Sequence, residues 1–175
     1  NRIPLTADSD AGRRHKGKRT LVLGTIGRAI NQNNDKEMKN GIKCTHYWHF
    51  NSTFYCYYDC AFCYLSGNKG ISVSPTVRLF LDVEDILEQM LRRMEISAHP
   101  ILWYAGKLQD TVALDPICNY SKIFTPFMAK QEKGRLLYLT KSDAVDNFLS
   151  LDHQKHTIMS WSINATEVAQ RLELH

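Results

Sequence analysis

The chain has 175 residues, of which 43% are hydrophobic, and a formal net charge of +4. This length and composition predict one globular domain with a single core and exclude a disordered chain. No stretch approaches the ~18 consecutive apolar residues of a membrane span, and the N-terminal stretch lacks the apolar core of a secretory signal. We therefore expect a cytoplasmic protein without a membrane segment.

The positive charge is concentrated at the front of the chain. Residues 1–43 contain ten Lys or Arg and four Asp or Glu, whereas the remaining residues contain twelve and fourteen. The densest run, "RRHKGKR" at residues 13–19, could follow a phosphate backbone by counterion release, or it could be a solvated terminal arm. We interpret residues 1–42 as a basic N-terminal extension, with one strand in "TLVLGTIG".

Strand-like and helix-like segments alternate after residue 43. The predicted strands span residues 76–81, 100–104, 135–139 and 157–163. The predicted helices are an amphipathic one after Asp82, one opening at Asp115 and ended or kinked by Pro126, and a short one capped by Ser142. This alternation predicts right-handed βαβ units around a parallel sheet.

The number of predicted strands limits the architecture. A closed eight-stranded barrel takes about 200 residues or more, and four strands supply only part of one. We therefore expect an α/β fold in which residues 43–175 form a partial, incomplete (βα) barrel. We also expect the chain to be a fragment of a longer protein.

Three of the five cysteines lie in the stretch "FYCYYDCAFCYL" with the spacing C-x3-C-x2-C: Cys56, Cys60 and Cys63. In a reducing compartment, clustered thiols indicate metal or redox chemistry more than disulfides. Three thiolates from one loop suit an iron–sulfur cluster with one open iron position. Structural zinc needs a fourth protein ligand, for which the sequence offers Cys44, His46 and His49. The alternative function is therefore a zinc-stabilised nucleic-acid-binding module that uses the basic arm.

The stretch "CYYDCAFCYL" resembles the cluster loop of the radical S-adenosylmethionine superfamily, which has an aromatic residue before the third cysteine, as Phe62 is here. The continuation "CYL" and residues 134–164 resemble the spore photoproduct lyase family, which repairs a UV-induced thymine dimer in DNA. The resemblance implies a [4Fe-4S] cluster, S-adenosylmethionine as cofactor, DNA as substrate, and a reductase or flavodoxin-type electron donor. It also implies reductive cleavage of the cofactor to a 5′-deoxyadenosyl radical that abstracts hydrogen from the substrate.

The resemblance assigns roles to individual residues. Cys56, Cys60 and Cys63 match the cluster ligands. Lys141 matches a lysine that contacts the methionyl carboxylate of the cofactor, and Ser162 matches a serine in the same pocket. The backbone of Tyr64 is expected near the adenine, and Asp110 matches an acidic residue in the loop after a strand.

The positions of these residues along the predicted strands support a common site. Five polar residues lie at or just beyond the carboxyl ends of predicted strands, where α/β barrels build active sites: Gln109, Asp110, Lys141, Ser162 and Asn164. Alternatively, Lys141 is an ordinary surface lysine, the hydroxyl of Ser162 caps a loop, and Asp110 is an ordinary turn residue.

The sequence departs from the family pattern at Lys107. In the lyases, a cysteine at this position returns a hydrogen atom to the product radical, and a lysine has no weak S–H bond to donate. Cys118 is predicted to be a buried helix cysteine rather than a relocated donor. The hydrogen-return step of the repair reaction is therefore not supported at residue 107. Because the strands that complete the partial barrel in this family are not found in the sequence, we expect weak or no activity from this chain alone, and an inactive fragment is a further alternative.

Overall fold

A computed structural model describes residues 16–32, 47–63 and 76–173. These ranges contain eight strands: β1 (Leu21–Gly24), β2 (Ile30–Gln32), β3 (Tyr47–Phe50), β4 (Thr53–Phe54), β5 (Val77–Phe80), β6 (Ile101–Ala105), β7 (Gly134–Thr140) and β8 (Thr157–Trp161). They also contain four longer helices: α1 (Val83–Glu95), α2 (Thr111–Cys118), α3 (Ser121–Ala129) and α4 (Thr166–Leu172).

The strands form two open sheets. The larger sheet has the order β2-β3-β6-β7-β8, in which β3, β6, β7 and β8 are parallel and β2 is antiparallel at one edge. The smaller sheet has the order β1-β5-β4, with β1 parallel to β5 and β4 antiparallel to it. The predicted α/β fold with a partial barrel is therefore confirmed.

The core lies between the parallel strands and the helices that connect them. Helix α1 turns its predicted apolar face inward, and Ile86, Met90 and Met94 are all buried. Trp103 of β6 and Leu136 of β7 are fully buried in the same cluster. Burial of these large side chains fixes the register of the parallel strands, and so places their carboxyl ends together.

The assignment of strands to sheets differs from the prediction in one respect. The strand predicted at residues 76–81 exists as β5, but it pairs with β1 and β4 in the smaller sheet. Its expected place in the parallel sheet is taken by β3, whose sequence "YWHF" was not predicted as a strand. Aromatic residues favour strands, so "YWHF" carried a signal that was missed.

Three predicted helix boundaries are wrong. Helix α2 begins at Thr111 after its N-cap Asp110, whereas the carboxylate of Asp115 accepts a hydrogen bond from the Ser121 backbone N–H at 2.7 Å, at the start of the next helix. Pro126 lies inside α3, which continues to Ala129. The helix predicted after Ser142 is only a 3₁₀ turn at Asp146–Phe148.

The N-terminal strands are hydrogen-bonded to later parts of the chain. Strand β1 pairs with β5, and β2 pairs with β3. The division of the chain after residue 42 stays a prediction. Within residues 16–32, 47–63 and 76–173, no helix is both long and apolar enough to cross a membrane.

Candidate functional site

The predicted site residues lie at the carboxyl ends of neighbouring parallel strands. The loop that carries the cysteines follows β3 and β4, Gln109 and Asp110 follow β6, and Lys141 directly follows β7. Ser162 directly follows β8. Because β3, β6, β7 and β8 are adjacent and parallel, these segments share one edge of the sheet, which we call the rim.

The three cysteines of the loop are free thiols in different degrees of burial. Cys60 is buried, Cys56 and Cys63 are half-buried, and the Cys63 backbone N–H donates to the Cys60 carbonyl at 3.0 Å. Burial raises the pKa of the Cys56 thiol to about 11. Burial also raises the pKa of Cys60, and the negative charge of Glu173 adds to the increase. A metal would therefore have to displace protons from these two thiols.

The chemistry of the three cysteine thiols fits the binding of an iron–sulfur cluster. Three unoxidised thiols lie in one loop. They interact electrostatically, since the charge of Cys60 raises the pKa of Cys56 and the charge of Cys63 raises the pKa of Cys60. Soft thiolates are the ligands of such clusters. No group of three or more His, Cys, Asp or Glu side chains within the described ranges is arranged as a metal site.

Of the residues proposed as zinc ligands, only His49 lies within the described part of the chain. Cys44 and His46 lie outside the described residues. His49 lies on β3, where burial lowers its pKa and the positive charge of Lys107 lowers it further. Lys107 is half-buried in the loop after β6.

Lys141 connects the strand ends to the cysteine loop. Its ammonium donates to the carbonyl oxygen of Ser162 at 2.9 Å and forms an ion pair with the carboxylate of Glu173. The same ammonium lies 5.5 Å from the ring centroid of Phe62, between the second and third cysteines. Lys141 is thus held over the loop that carries the thiols, and its side chain is 16% exposed.

Asp110 is buried and ties two strand ends together. Its Oδ1 accepts from the Thr140 hydroxyl at 2.6 Å and from the Ala113 backbone N–H at 3.1 Å, which makes it the N-cap of α2. Its Oδ2 accepts from the Lys141 backbone N–H at 2.9 Å. Both carboxylate oxygens are therefore engaged within the protein, and they set the backbone position of Lys141.

Gln109 has a buried amide without a partner. The side chain is 8% exposed, and neither its Nε2 nor its Oε1 has a hydrogen-bond partner among the described residues. It packs over Gly106, whose φ of +85° suits glycine and where an added Cβ would lie 2.1 Å from Nε2 of Gln109. An unpaired buried amide costs about 1–3 kcal/mol, so the site gains stability if a ligand supplies the missing partners.

The remaining predicted residues are placed as follows. Ser162 and Asn164 are exposed on the rim, and the amide of Asn164 donates to Glu173 at 2.5 Å. Tyr64 lies outside the described residues. Cys118 is half-buried in α2 and donates to the Leu114 carbonyl at 3.3 Å, as expected of a helix cysteine.

Two residues of the site were missed by the sequence reasoning. Glu173 follows α4 and pairs with Lys141, and the preceding Leu172 carbonyl accepts from the Ala61 backbone N–H at 2.7 Å. Lys18 belongs to the basic run, yet its side chain is 6% exposed and contacts the cysteine loop. Both predictions for the basic run, that it binds phosphates and that it is a solvated arm, are wrong for Lys18. Nothing in the local sequence distinguishes Lys18 from its exposed neighbour Lys16.

The chain is similar in sequence to one family of known proteins. The sequence model of the family described as "Spore photoproduct lyase" matches residues 1–175. The spore photoproduct lyase of Bacillus subtilis (strain 168) is 29% identical over 119 residues, which are 67% of this chain and 34% of the relative. That of Clostridium acetobutylicum is 25% identical over 159 residues, which are 90% of this chain and 44% of the relative.

The fold of the chain also matches the fold of solved protein structures. A spore photoproduct lyase variant with bound AdoMet and dinucleoside spore photoproduct superimposes with a TM-score of 0.83 at 22% identity, over 99% of this chain and 48% of that one. The same enzyme type complexed with dinucleoside spore photoproduct gives a TM-score of 0.81. The chain spans between about a third and a half of the length of the proteins it matches.

Proposed function

We propose, from the premise that this chain belongs to the spore photoproduct lyase family, that it holds a [4Fe-4S] cluster and S-adenosylmethionine at the rim and takes part in DNA photoproduct repair. The observation that carries the proposal is the position of Lys141. Its ammonium is held by the Ser162 carbonyl at 2.9 Å and lies 5.5 Å from the ring of Phe62 in the cysteine loop. A cation fixed beside three free thiols suits a cofactor that bears a carboxylate and also binds to the metal.

The cluster ligands in this proposal are Cys56, Cys60 and Cys63. When bound, the cluster supplies the electron for reductive cleavage of S-adenosylmethionine. The chain contributes the three thiolates and leaves one coordination position open for the cofactor. We assign to the paired rings of Tyr57 and Tyr58, whose centroids lie 4.5 Å apart, the role of shielding one side of the cysteine loop from water.

The methionine end of the cofactor is assigned to Lys141 and its neighbours. An ammonium has three N–H donors, of which Ser162 and Glu173 take two, so Lys141 keeps one for a carboxylate. Asp110 contributes indirectly by holding the Lys141 backbone. We assign further polar contacts with the cofactor to the unpaired amide of Gln109 and to the exposed Ser162 and Asn164, and an adenine contact to the backbone of Tyr64.

The substrate class follows from the family. A matched structure contains dinucleoside spore photoproduct, and we propose a thymine photoproduct in DNA for this protein, with a reductase or flavodoxin-type electron donor. Lys107 stands where the lyases have a hydrogen-donating cysteine. We therefore propose that the hydrogen atom of the final step comes from a group other than residue 107.

The test is anaerobic reconstitution with iron and sulfide, followed by titration with S-adenosylmethionine. We expect a brown protein in wild type and a loss of iron in Cys60→Ala. Lys141→Met should keep its iron but bind S-adenosylmethionine roughly 10- to 100-fold more weakly, since a charge-assisted hydrogen bond contributes roughly 1.5–3 kcal/mol. The exposed Lys130→Met is the matched control and should bind normally. A colourless protein with one tightly bound zinc would refute the proposal in favour of the zinc module.

A further inference from the structure

Lys18 is a buried lysine that contacts the cysteine loop from a distant part of the sequence. Its ammonium donates to the carbonyl of Cys56 at 3.1 Å and to the carbonyl of Tyr58. It lies 3.8 Å from the carboxylate of Asp59. These acceptors fall within four consecutive residues that begin at the first cysteine, 38 residues after Lys18.

The geometry indicates that Lys18 holds the loop in its bent form. An ammonium has three N–H donors, of which the two carbonyls accept two, and the carboxylate of Asp59 at 3.8 Å adds an ion pair. Two carbonyls of the same short segment can meet one cation only if the backbone between them turns. Such hydrogen bonds to a buried charge are stronger than neutral ones.

The backbone just before the first cysteine is strained, which makes an external support necessary. Tyr55 has a φ of +68°, in the left-handed region that L residues rarely adopt. Such a conformation is energetically unfavourable and persists only where surrounding contacts hold it. Lys18 supplies such contacts, because its ammonium lies 5.2 Å from the Tyr55 ring centroid and bonds to the next residue, Cys56.

We propose that Lys18 is a positioning residue for the cysteine loop and places a fixed positive charge beside the metal centre. This inference rests on the proposed function, in which the loop binds an iron–sulfur cluster. The reduction potential of such clusters depends on nearby charge and hydrogen bonds. A fixed positive charge stabilises the more negative, reduced state and therefore raises the reduction potential.

The experiment compares three variants with wild type after anaerobic reconstitution: Lys18→Met, Lys18→Arg and the exposed control Lys16→Met. Two quantities are measured on each, namely the rate at which a chelator removes iron and the midpoint potential from a redox titration followed by EPR. We expect Lys18→Met to lose iron about tenfold faster, as for other partners of metal ligands, and to have a more negative midpoint potential. Lys18→Arg keeps the charge and should restore the potential, and Lys16→Met should match wild type.

Hydrogen exchange of the metal-free proteins separates this inference from the proposed function. Lys18→Met should speed exchange of the amides at residues 55–60, whether or not iron binds. Wild type that takes up no iron contradicts the proposed function, while the exchange rates still decide the role of Lys18. Lys18→Met that equals wild type in exchange, iron loss and potential overturns the inference. If Lys18→Met does not fold, Lys18→Gln, which keeps a donor but no charge, replaces it with the same expected direction.

Discussion

Replacement of Asp110 tests whether the rim is held together as the structure indicates. The Asp110 carboxylate accepts from the Thr140 hydroxyl and from the backbone N–H groups of Ala113 and Lys141. Asp110→Ala removes an N-cap, at about 1 kcal/mol, and leaves the Lys141 N–H without an acceptor, at about 1–3 kcal/mol. We therefore expect the free energy of unfolding to fall by roughly 2–4 kcal/mol.

Urea unfolding of the metal-free chain measures this loss. With a slope of about 2 kcal/mol per molar urea, the midpoint should fall by roughly 1–2 M. Asp110→Asn keeps one acceptor oxygen but places an NH₂ group against a backbone donor, so it should fall between wild type and Asp110→Ala. The exposed Asp143→Ala is the matched control and should stay within about 0.5 kcal/mol of wild type. If Asp110→Ala unfolds at the same urea concentration as Asp143→Ala, Asp110 does not tie the strand ends together.

Three further predictions concern other parts of the site and fold. Gly106→Ala should lower the free energy of unfolding by about 1–3 kcal/mol, because φ is +85° there and the new Cβ meets Gln109; Gly24→Ala, where the space is open, should not. Glu173→Ala should speed amide exchange throughout α4, because the ion pair with Lys141 is lost, whereas the exposed Glu167→Ala should not. Burial raises the pKa of Cys118 from 9.0 to about 11, so wild type should lose stability between pH 9 and 11, where the unfolded thiol ionises first. Thermal unfolding should show a smaller loss over this range in Cys118→Ala, and equal losses would contradict the shift.

The strands and the rim could be predicted because their signals are local. Apolar segments at residues 101–105 and 134–140 alternate with helices, and parallel strands have their carboxyl ends at one edge. Lys141 directly follows such a strand and Asp110 lies five residues beyond another, so the sequence predicted both at one rim, where the structure links them at 2.9 Å. The cysteine spacing is likewise a local feature, which indicated a cluster loop without any knowledge of the fold.

Contacts between distant segments could not be predicted in this way. Lys18 stands in a basic run, and its burial depends on how β1 pairs with β5 and brings the N-terminal segment to the cysteine loop. Glu173 reaches Lys141 only because α4 ends beside the loop. The sequence analysis predicted the N-cap at Asp115 because "DP" is a strong local signal for a helix start. The true N-cap is Asp110, whose hydrogen bonds to Thr140 and Lys141 are tertiary contacts.

The central claim is that the cysteine loop holds a cluster beside a cofactor site that contains Lys141. The most direct measurement is the EPR spectrum of the reduced, reconstituted protein with and without S-adenosylmethionine, together with its iron and sulfide content. We expect about four iron and four sulfide per chain, and a spectrum that changes on addition of S-adenosylmethionine in wild type but not in Lys141→Met at the same concentration. A reconstituted wild type that binds no iron, or a cluster whose spectrum S-adenosylmethionine leaves unchanged, would contradict it.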